Sequence, residues 1–80
     1  MKKRFKEIIR KRLVFLLNEK NLKPENLAYQ SGVSKSALSE IINSKKTPTQ
    51  LTIAKFCAVF GITLSDFYDF EEVNEFVNQL

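Results

Sequence analysis

The 80-residue chain contains no histidine and a single cysteine, Cys57. One cysteine cannot form an internal disulfide bond, so the fold cannot depend on a disulfide framework. Without histidine, the usual zinc sites and Cys/His catalytic arrangements cannot be assembled. We therefore expect no metal site, and we interpret Cys57 as a packing residue on an apolar helix face.

The chain also lacks a long apolar run. No segment approaches the length of a membrane-spanning helix, and residues 1–12 interleave charged with apolar side chains, unlike the core of a signal peptide. The hydrophobic fraction of 44% is ordinary for a soluble protein. These features predict a reduced, cytoplasmic protein without membrane association that folds as one domain over residues 1–80.

Charge is distributed unevenly along the chain. Residues 1–46 contain twelve Lys/Arg and four Asp/Glu and so carry +8, whereas residues 47–80 contain one Lys and five Asp/Glu and carry −4. Such a polarity indicates a basic face for a polyanion and a different use for the acidic part. The alternative is that the charges merely solvate two faces of the protein.

Apolar residues recur at three- and four-residue steps and nowhere alternate, which predicts an all-α fold. A long amphipathic first helix should run from Lys3 to Lys20 and end at Asn21, because asparagine tolerates the left-handed conformation of a helix end. Residues 47–50 predict the start of a fourth helix, with Thr47 as N-cap and Gln50 completing a capping box. Gly61 should end that helix. A fifth helix would follow, capped by residue 63 or 65.

Residues 24–43 have the pattern of two short helices joined by a tight turn at residues 31–33. Gly32 suits a turn that requires positive φ, and Ala28 is small enough for two helices to cross closely. Ser34 is a favourable N-cap for the second of these helices, residues 35–43. The apolar residues that would hold the pair together are Leu27, Val33, Leu38 and Ile41.

At these positions the chain resembles the Cro/repressor-like helix-turn-helix family of DNA-binding domains, over the range 13–67. The residues that carry the resemblance are Leu27, Ala28, Gly32, Val33, Ser34, Leu38, Ile41, Pro48, Leu51, Phe56, Cys57, Gly61 and Ile62. The resemblance implies a compact five-helix domain with an additional C-terminal helix. It also implies that helix 35–43 lies in the major groove of double-stranded DNA.

The resemblance further implies which residues contact DNA. The candidates for reading bases are Lys35, Ser36, Ser39 and Glu40. Lysine can donate to guanine O6/N7, glutamate can accept from cytosine N4, and serine can do either. The candidates for binding phosphates are Lys23, Tyr29, Gln30, Ser34, Asn43, Lys45 and Lys46. The alternative for every candidate is an ordinary exposed side chain.

Three features depart from the family pattern. Pro24 stands where members commonly have a phosphate-binding glutamine, although Lys23 could supply a charge nearby. Ser44 replaces a loop glycine, which makes the end of the third helix less favourable. Leu17 and Ile42 replace an arginine and a glutamate that many members bury as an ion pair. We predict that these two side chains touch in the core, since a buried pair is well replaced by two apolar residues together.

The C-terminal segment 67–80 is acidic and aromatic, and its apolar stripe has two interpretations. The stripe consists of Phe70, Val73, Phe76, Val77 and Leu80. It can close the core of its own chain, or it can form the interface of a homodimer. We favour the dimer because the family often binds two-fold symmetric operators, and the acidic segment would then lie away from DNA.

The leading functional hypothesis is a sequence-specific, dimeric transcriptional repressor bound to a palindromic operator. The alternative is an antitoxin or adaptor that docks a protein partner with its C-terminal helix. An enzyme is disfavoured, because Asp66, Asp69 and the scattered glutamates outside the DNA face show no spacing typical of paired catalytic carboxylates. We expect no cofactor and no small-molecule substrate.

Overall fold

The computed structural model describes residues 2–80, except for the side chains of Lys2 and Lys3. The helices are α1 (Lys2–Glu19), α2 (Pro24–Ser31), α3 (Lys35–Ile42), α4 (Gln50–Phe60), α5 (Leu64–Tyr68) and α6 (Glu71–Asn78). No strand occurs in residues 2–80, which confirms the all-α prediction. The predicted bounds of α1 and α3 differ from the observed ones by a single residue.

One apolar core holds the helices together. Residues Leu27 of α2, Phe56 of α4 and Phe67 of α5 are at most 1% exposed, and they pack with the inward face of α1. Burying each such side chain contributes about 1.5–3 kcal/mol. Close packing joins α2 to α4, α1 to both α3 and α6, α2 to α3, and α4 to α5.

Four helices end on a residue in the left-handed conformation. The residues and their φ values are Asn21 (52°), Gly32 (75°), Ser44 (59°) and Gly61 (72°). The N–H of Gly32 donates to the carbonyl of Ala28 at 3.0 Å, which satisfies an otherwise unpaired helical carbonyl. The helix ends predicted at Asn21 and Gly61 are confirmed.

Serine or threonine side chains cap the N-termini of three helices. Ser34 Oγ accepts the N–H of Ala37 at 3.1 Å, as predicted, and Thr63 forms a capping box with Asp66. Lys23 precedes α2 without a capping hydrogen bond from its side chain.

The predicted cap of α4 at Thr47 is wrong, because the helix begins two residues later. Thr49 is the N-cap, and its Oγ1 accepts the N–H of Thr52 at 3.2 Å. Gln50 is therefore the first residue of the helix and not the third, so it does not complete the predicted capping box. Its Oε1 accepts the hydroxyl of Tyr68 at 2.8 Å.

Helix α6 packs along α1 of its own chain. The Phe5 and Phe76 rings lie 5.2 Å apart, and Val73 is buried. Val77 and Leu80, in contrast, are 59% and 72% exposed. Packing within the chain thus covers Val73 and Phe76 of the apolar stripe, whereas Val77 and Leu80 remain available to another molecule.

Arg12 of α1 joins the end of α5 to the start of α6. Its Nε donates to the carbonyl of Phe67 at 2.8 Å, and its Nη2 donates to the carbonyl of Asp66 at 2.6 Å. The guanidinium carbon also lies 5.1 Å from the ring centroid of Phe70 and 5.6 Å from that of Phe15. Arg12 therefore satisfies carbonyls at the C-terminus of α5 and stacks on the residue that precedes α6.

Cys57 is buried on the inward side of α4, which agrees with its interpretation as a packing residue. Burial raises the pKa of the Cys57 thiol, the carboxylate of Asp66 raises it further, and Arg12 lowers it. Burial likewise raises the pKa of the Tyr68 hydroxyl. These shifts favour the neutral forms of both groups.

Leu17 and Ile42 both lie in or against the core, as their apolar character requires. Leu17 is 4% exposed, and Ile42 is half-buried against the same cluster of core residues. Direct contact between these two side chains stays a prediction.

Within residues 2–80, no helix combines the length and apolar character that crossing a bilayer requires.

Candidate nucleic-acid interface

Helices α2 and α3 form the predicted helix-turn-helix pair. Leu27 and Ala28 bury the inner face of α2, while Leu38 and Ile41 anchor α3. The left-handed conformation of Gly32 reverses the chain between the two helices. Since α3 is fixed from one side only, its opposite side is free to meet a ligand.

The outer side of α3 is polar and accessible. Lys35, Ser36, Ser39 and Glu40 are all exposed. Because side chains three and four positions apart share a helix face, Ser36, Ser39 and Glu40 lie together, with Lys35 at the edge near the N-terminus. The structure thus brings the four base-reading candidates to one surface, which has donors and acceptors suited to base edges.

One hydrogen bond links the two classes of candidate on α3. Asn43 Nδ2 donates to Ser39 Oγ at 3.2 Å, across one helical turn. The serine hydroxyl retains its own proton and can still donate to a base or a phosphate. The position of Ser39 is therefore tied to that of Asn43.

The loop after α3 is held by backbone hydrogen bonds that leave its lysine side chains exposed. The N–H of Lys45 donates to the carbonyl of Glu40 at 2.8 Å, and the N–H of Ser44 donates to that of Ile41 at 3.1 Å. This pattern is a Schellman motif with Ser44 at the left-handed position. Lys45 and Lys46 thus project from an anchored backbone.

The other phosphate candidates lie on α2 and around its ends. Lys23 and Gln30 are exposed, and Tyr29 is 88% exposed. Ser34 is exposed, but its Oγ already caps α3. A phosphate would reach the free N–H groups of that helix terminus beside it.

Lys6 lies next to this surface, in the basic start of α1. The sequence allows two interpretations of the basic residues Lys2, Lys3, Arg4 and Lys6, an additional phosphate contact or a solubilising terminus. Lys6 Nζ lies 3.5 Å from the carbonyl oxygen of Lys45, which places the first turns of α1 beside the loop after α3. The side chains of Lys2 and Lys3, which could extend this basic start, lie outside the described residues.

Metal binding has no support within the described part of the chain. No three cysteine, aspartate or glutamate side chains there come together as a possible ion site. The exposed surface of α3 carries hydrogen-bond donors and acceptors of lysine, serine and glutamate side chains.

The fold is all-α, and the second helix of its helix-turn-helix pair is capped at the N-terminus and has an exposed outer side. These features define a class of DNA-binding protein. Comparison with known families agrees, because a family model described as helix-turn-helix matches residues 15–67. The chain belongs to this family, in its Cro/repressor-like (XRE) type, and is a DNA-binding transcriptional regulator. No curated protein and no solved structure gives a significant match.

The family match bears on enzymatic activity as well. The matched domain is a DNA-binding unit and not an enzymatic one. It spans α2 to α4, the last five residues of α1 and nearly all of α5. Helix α6 and most of α1 lie outside the match.

Proposed function

We propose that this protein is a transcriptional repressor that binds a palindromic operator as a homodimer, with α3 of each subunit in the major groove. The observation that carries the proposal is the exposed polar side of α3, held outward by Leu38 and Ile41. A recognition helix meets base edges with its N-terminal residues. Occupying an operator in this way excludes other proteins from the same DNA.

Lys35, Ser36 and Glu40 read bases in this proposal, and Ser39 assists. Lys35 donates to guanine, and Glu40 accepts from cytosine N4, which would make Glu40 unfavourable near other bases. The proposal is supported by the exposure of these side chains and by the family to which the chain belongs.

Phosphate contacts position the dimer on DNA without selecting a sequence. Lys45 and Lys46 supply charge at one end of α3, and Ser34 and the N-terminus of the helix supply donors at the other. Asn43 contributes an amide next to the loop. Lys23, Tyr29 and Gln30 extend the contact along α2.

Selection of bound duplexes from a random pool tests the proposal. We expect an enriched palindrome with half-sites about one helical turn apart. An enriched site without two-fold symmetry would contradict the dimeric arrangement. Failure to enrich any duplex at physiological salt would contradict sequence-specific binding.

A pair of lysine substitutions separates reading from positioning. Lys45→Ala should weaken binding to all operators alike and reduce the slope of log K against log salt by about one, because one phosphate contact is lost. Lys35→Ala should change the order of preference among operators. Indistinguishable effects of the two substitutions on an operator panel would refute this division of roles.

A second candidate function is a protein-binding module, such as an antitoxin or adaptor, that docks a partner through α6. The observation that favours it is the large exposed apolar surface of Val77 and Leu80. A test of operator binding by the isolated protein at physiological salt distinguishes the two functions. The repressor must bind an operator by itself, whereas a protein-binding module need not.

A further inference from the structure

Helix α1 carries basic residues along two different edges. Lys6 and Arg10 are four residues apart and share one edge, while Arg4 and Lys11 lie on the other. The two edges face different neighbours. The loop after α3 lies beside the first edge, and α6 lies beside the second.

The edge beside α6 has its charge offset by carboxylates. Lys11 Nζ lies 3.6 Å from Glu72 Oε2, and this is the one ion pair within the described part of the chain. Arg4 shares a shallow groove with Glu72 and Glu75. The charge of these two cations is therefore partly offset, which makes them weaker candidates for binding a polyanion.

The charge of the edge beside α3 is less offset, because Glu7, one helical turn from Arg10, forms no ion pair among the described residues. In the part of the chain that the structure describes, neither Lys6 nor Arg10 forms an ion pair. Lys6 is instead 3.5 Å from the carbonyl oxygen of Lys45, next to the exposed cations of the loop. Lys6 thus connects two groups of cations, Lys6 and Arg10 on one edge of α1 and Lys45 and Lys46 in the loop, which we together call the α1–loop strip.

We infer that the α1–loop strip binds the phosphate backbone of duplex DNA, with Lys6 and Arg10 as contacts additional to those of the helix-turn-helix. This inference rests on the proposed function and extends its site to a part of α1 outside the family match. An eight-residue α3 is about 12 Å long, close to the width of the major groove. With α3 in the groove, the loop at its C-terminal end would lie near a flanking phosphate strand. The 3.5 Å contact between Lys6 Nζ and the Lys45 carbonyl oxygen would bring the first turns of α1 to the same strand.

The chemistry of both side chains suits phosphate oxygens. An ammonium has three donors, so Lys6 can keep its contact with the Lys45 carbonyl and still donate to a phosphate. The guanidinium of Arg10 presents a planar fork that matches a phosphate in two hydrogen bonds. Both residues are half-buried, which limits the freedom that binding would remove.

Glutamine substitutions test the inference, because they remove charge and keep much of the side-chain stem and the helix propensity. The duplex is the best one selected from the random pool, and the measurement is the slope of log K against log salt. We expect Lys6→Gln and Arg10→Gln each to reduce the slope by about 0.9, and the double variant by about 1.8. Lys11→Gln is the matched control on the opposite edge and should leave the slope unchanged.

A neutral methylphosphonate at single positions of the same duplex locates the contact. At one or two phosphates flanking the half-site, this replacement should abolish the further effect of Lys6→Gln. Thermal melts of each variant verify that the fold is retained. Equal slopes for the Lys6, Arg10 and Lys11 variants would overturn the inference.

The experiment also separates this inference from the proposed function. If Lys45→Ala lowers the slope and Lys6→Gln and Arg10→Gln do not, the proposed function stands and the contact by α1 is refuted. If the unmodified protein binds no duplex, both are refuted.

Discussion

Ser44 holds a left-handed backbone conformation, with φ of 59°, at the end of the helix that we propose reads DNA. For an L-residue with a Cβ atom, this conformation costs roughly 1–2 kcal/mol. The Schellman hydrogen bonds of Ser44 and Lys45 hold the strained residue in place. The surrounding structure therefore imposes the conformation of Ser44 against its own preference.

We predict that Ser44→Gly stabilises the protein. Relief of the left-handed strain should outweigh the greater flexibility of glycine in the unfolded chain, for a net gain of about 0.5–1 kcal/mol. Urea melts would measure the gain. Asn21→Gly is the control and should have a smaller effect, because asparagine tolerates φ of 52° at the end of α1 better than serine does. Destabilisation by Ser44→Gly would show that the serine side chain makes an important contact.

The apolar pair predicted at Leu17 and Ile42 gives a second test. Leu17→Arg places a charge where the native side chain is 4% exposed, and we expect a loss of about 3–5 kcal/mol in the free energy of unfolding. Adding Ile42→Glu should recover part of this loss if the two side chains touch. Chemical denaturation of the single and double variants would measure the coupling. An additive double variant, or a Leu17→Arg variant as stable as the parent, would contradict the predicted contact.

At the scale of helices, Arg12 explains how α5 and α6 are held. Its guanidinium donates to two carbonyls at the end of α5 and stacks on Phe70, the residue before α6. The C-terminus of a helix attracts cations because its last carbonyls lack intrahelical partners. A single α1 side chain thus contacts both the end of α5 and the residue that precedes α6.

We predict that Arg12→Lys loosens α6 and leaves the helix-turn-helix intact. Lysine keeps the charge but lacks the planar fork that reaches two carbonyls at once. The expected cost is about 1–3 kcal/mol, so hydrogen exchange of α6 amides should accelerate about 10- to 100-fold, with α2 to α4 protected as before. Lys11→Gln removes only an exposed ion pair and should change exchange much less. Uniform acceleration across all helices would instead assign Arg12 a role in global stability.

Local sequence signals predicted most of the helices and the ends of α1, α2 and α4. The 3.6-residue apolar period and the residues Asn21, Gly32 and Gly61 act within a few positions of the chain. The start of α4 was predicted two residues early, because residues 47–50 contain two threonines that can cap a helix and the structure uses the second, Thr49. The junction at Arg12 depends on contacts with residues more than fifty positions away, which no local pattern indicates. The exposed polar side of α3 was predictable from the sequence. The position of Lys6 beside the loop after α3 was not, because it depends on how α1 packs in the fold.

At the scale of the whole molecule, the proposed homodimer has a restricted choice of surface. Val73 is buried and Phe76 packs on Phe5, so only the last part of the apolar stripe of α6 is free. A dimer formed through α6 therefore depends on Val77 and Leu80.

We predict reversible dimerisation in sedimentation equilibrium at micromolar concentrations. Val77→Ser combined with Leu80→Ser should weaken the dimer by about 2 kcal/mol, or roughly 30-fold in its dissociation constant, because less apolar surface is buried. Leu51→Ser is the control, since Leu51 is 66% exposed on a different helix. A mass that stays monomeric at all concentrations up to high micromolar would rule out the unliganded dimer.

The placement of α6 and the α1–loop strip on different edges of α1 has a kinetic consequence. The carboxylates of α6 lie on one side of the long helix and the free cations lie on the other, so the protein has a permanent electric dipole moment. In the field of a duplex, a dipole experiences a torque that turns its positive side toward the DNA before contact. The protein would then arrive with α3 already facing the groove. A larger share of collisions with DNA would then lead to binding, so the association rate constant would rise. Salt would remove this increase, because it shortens the range of the electric field.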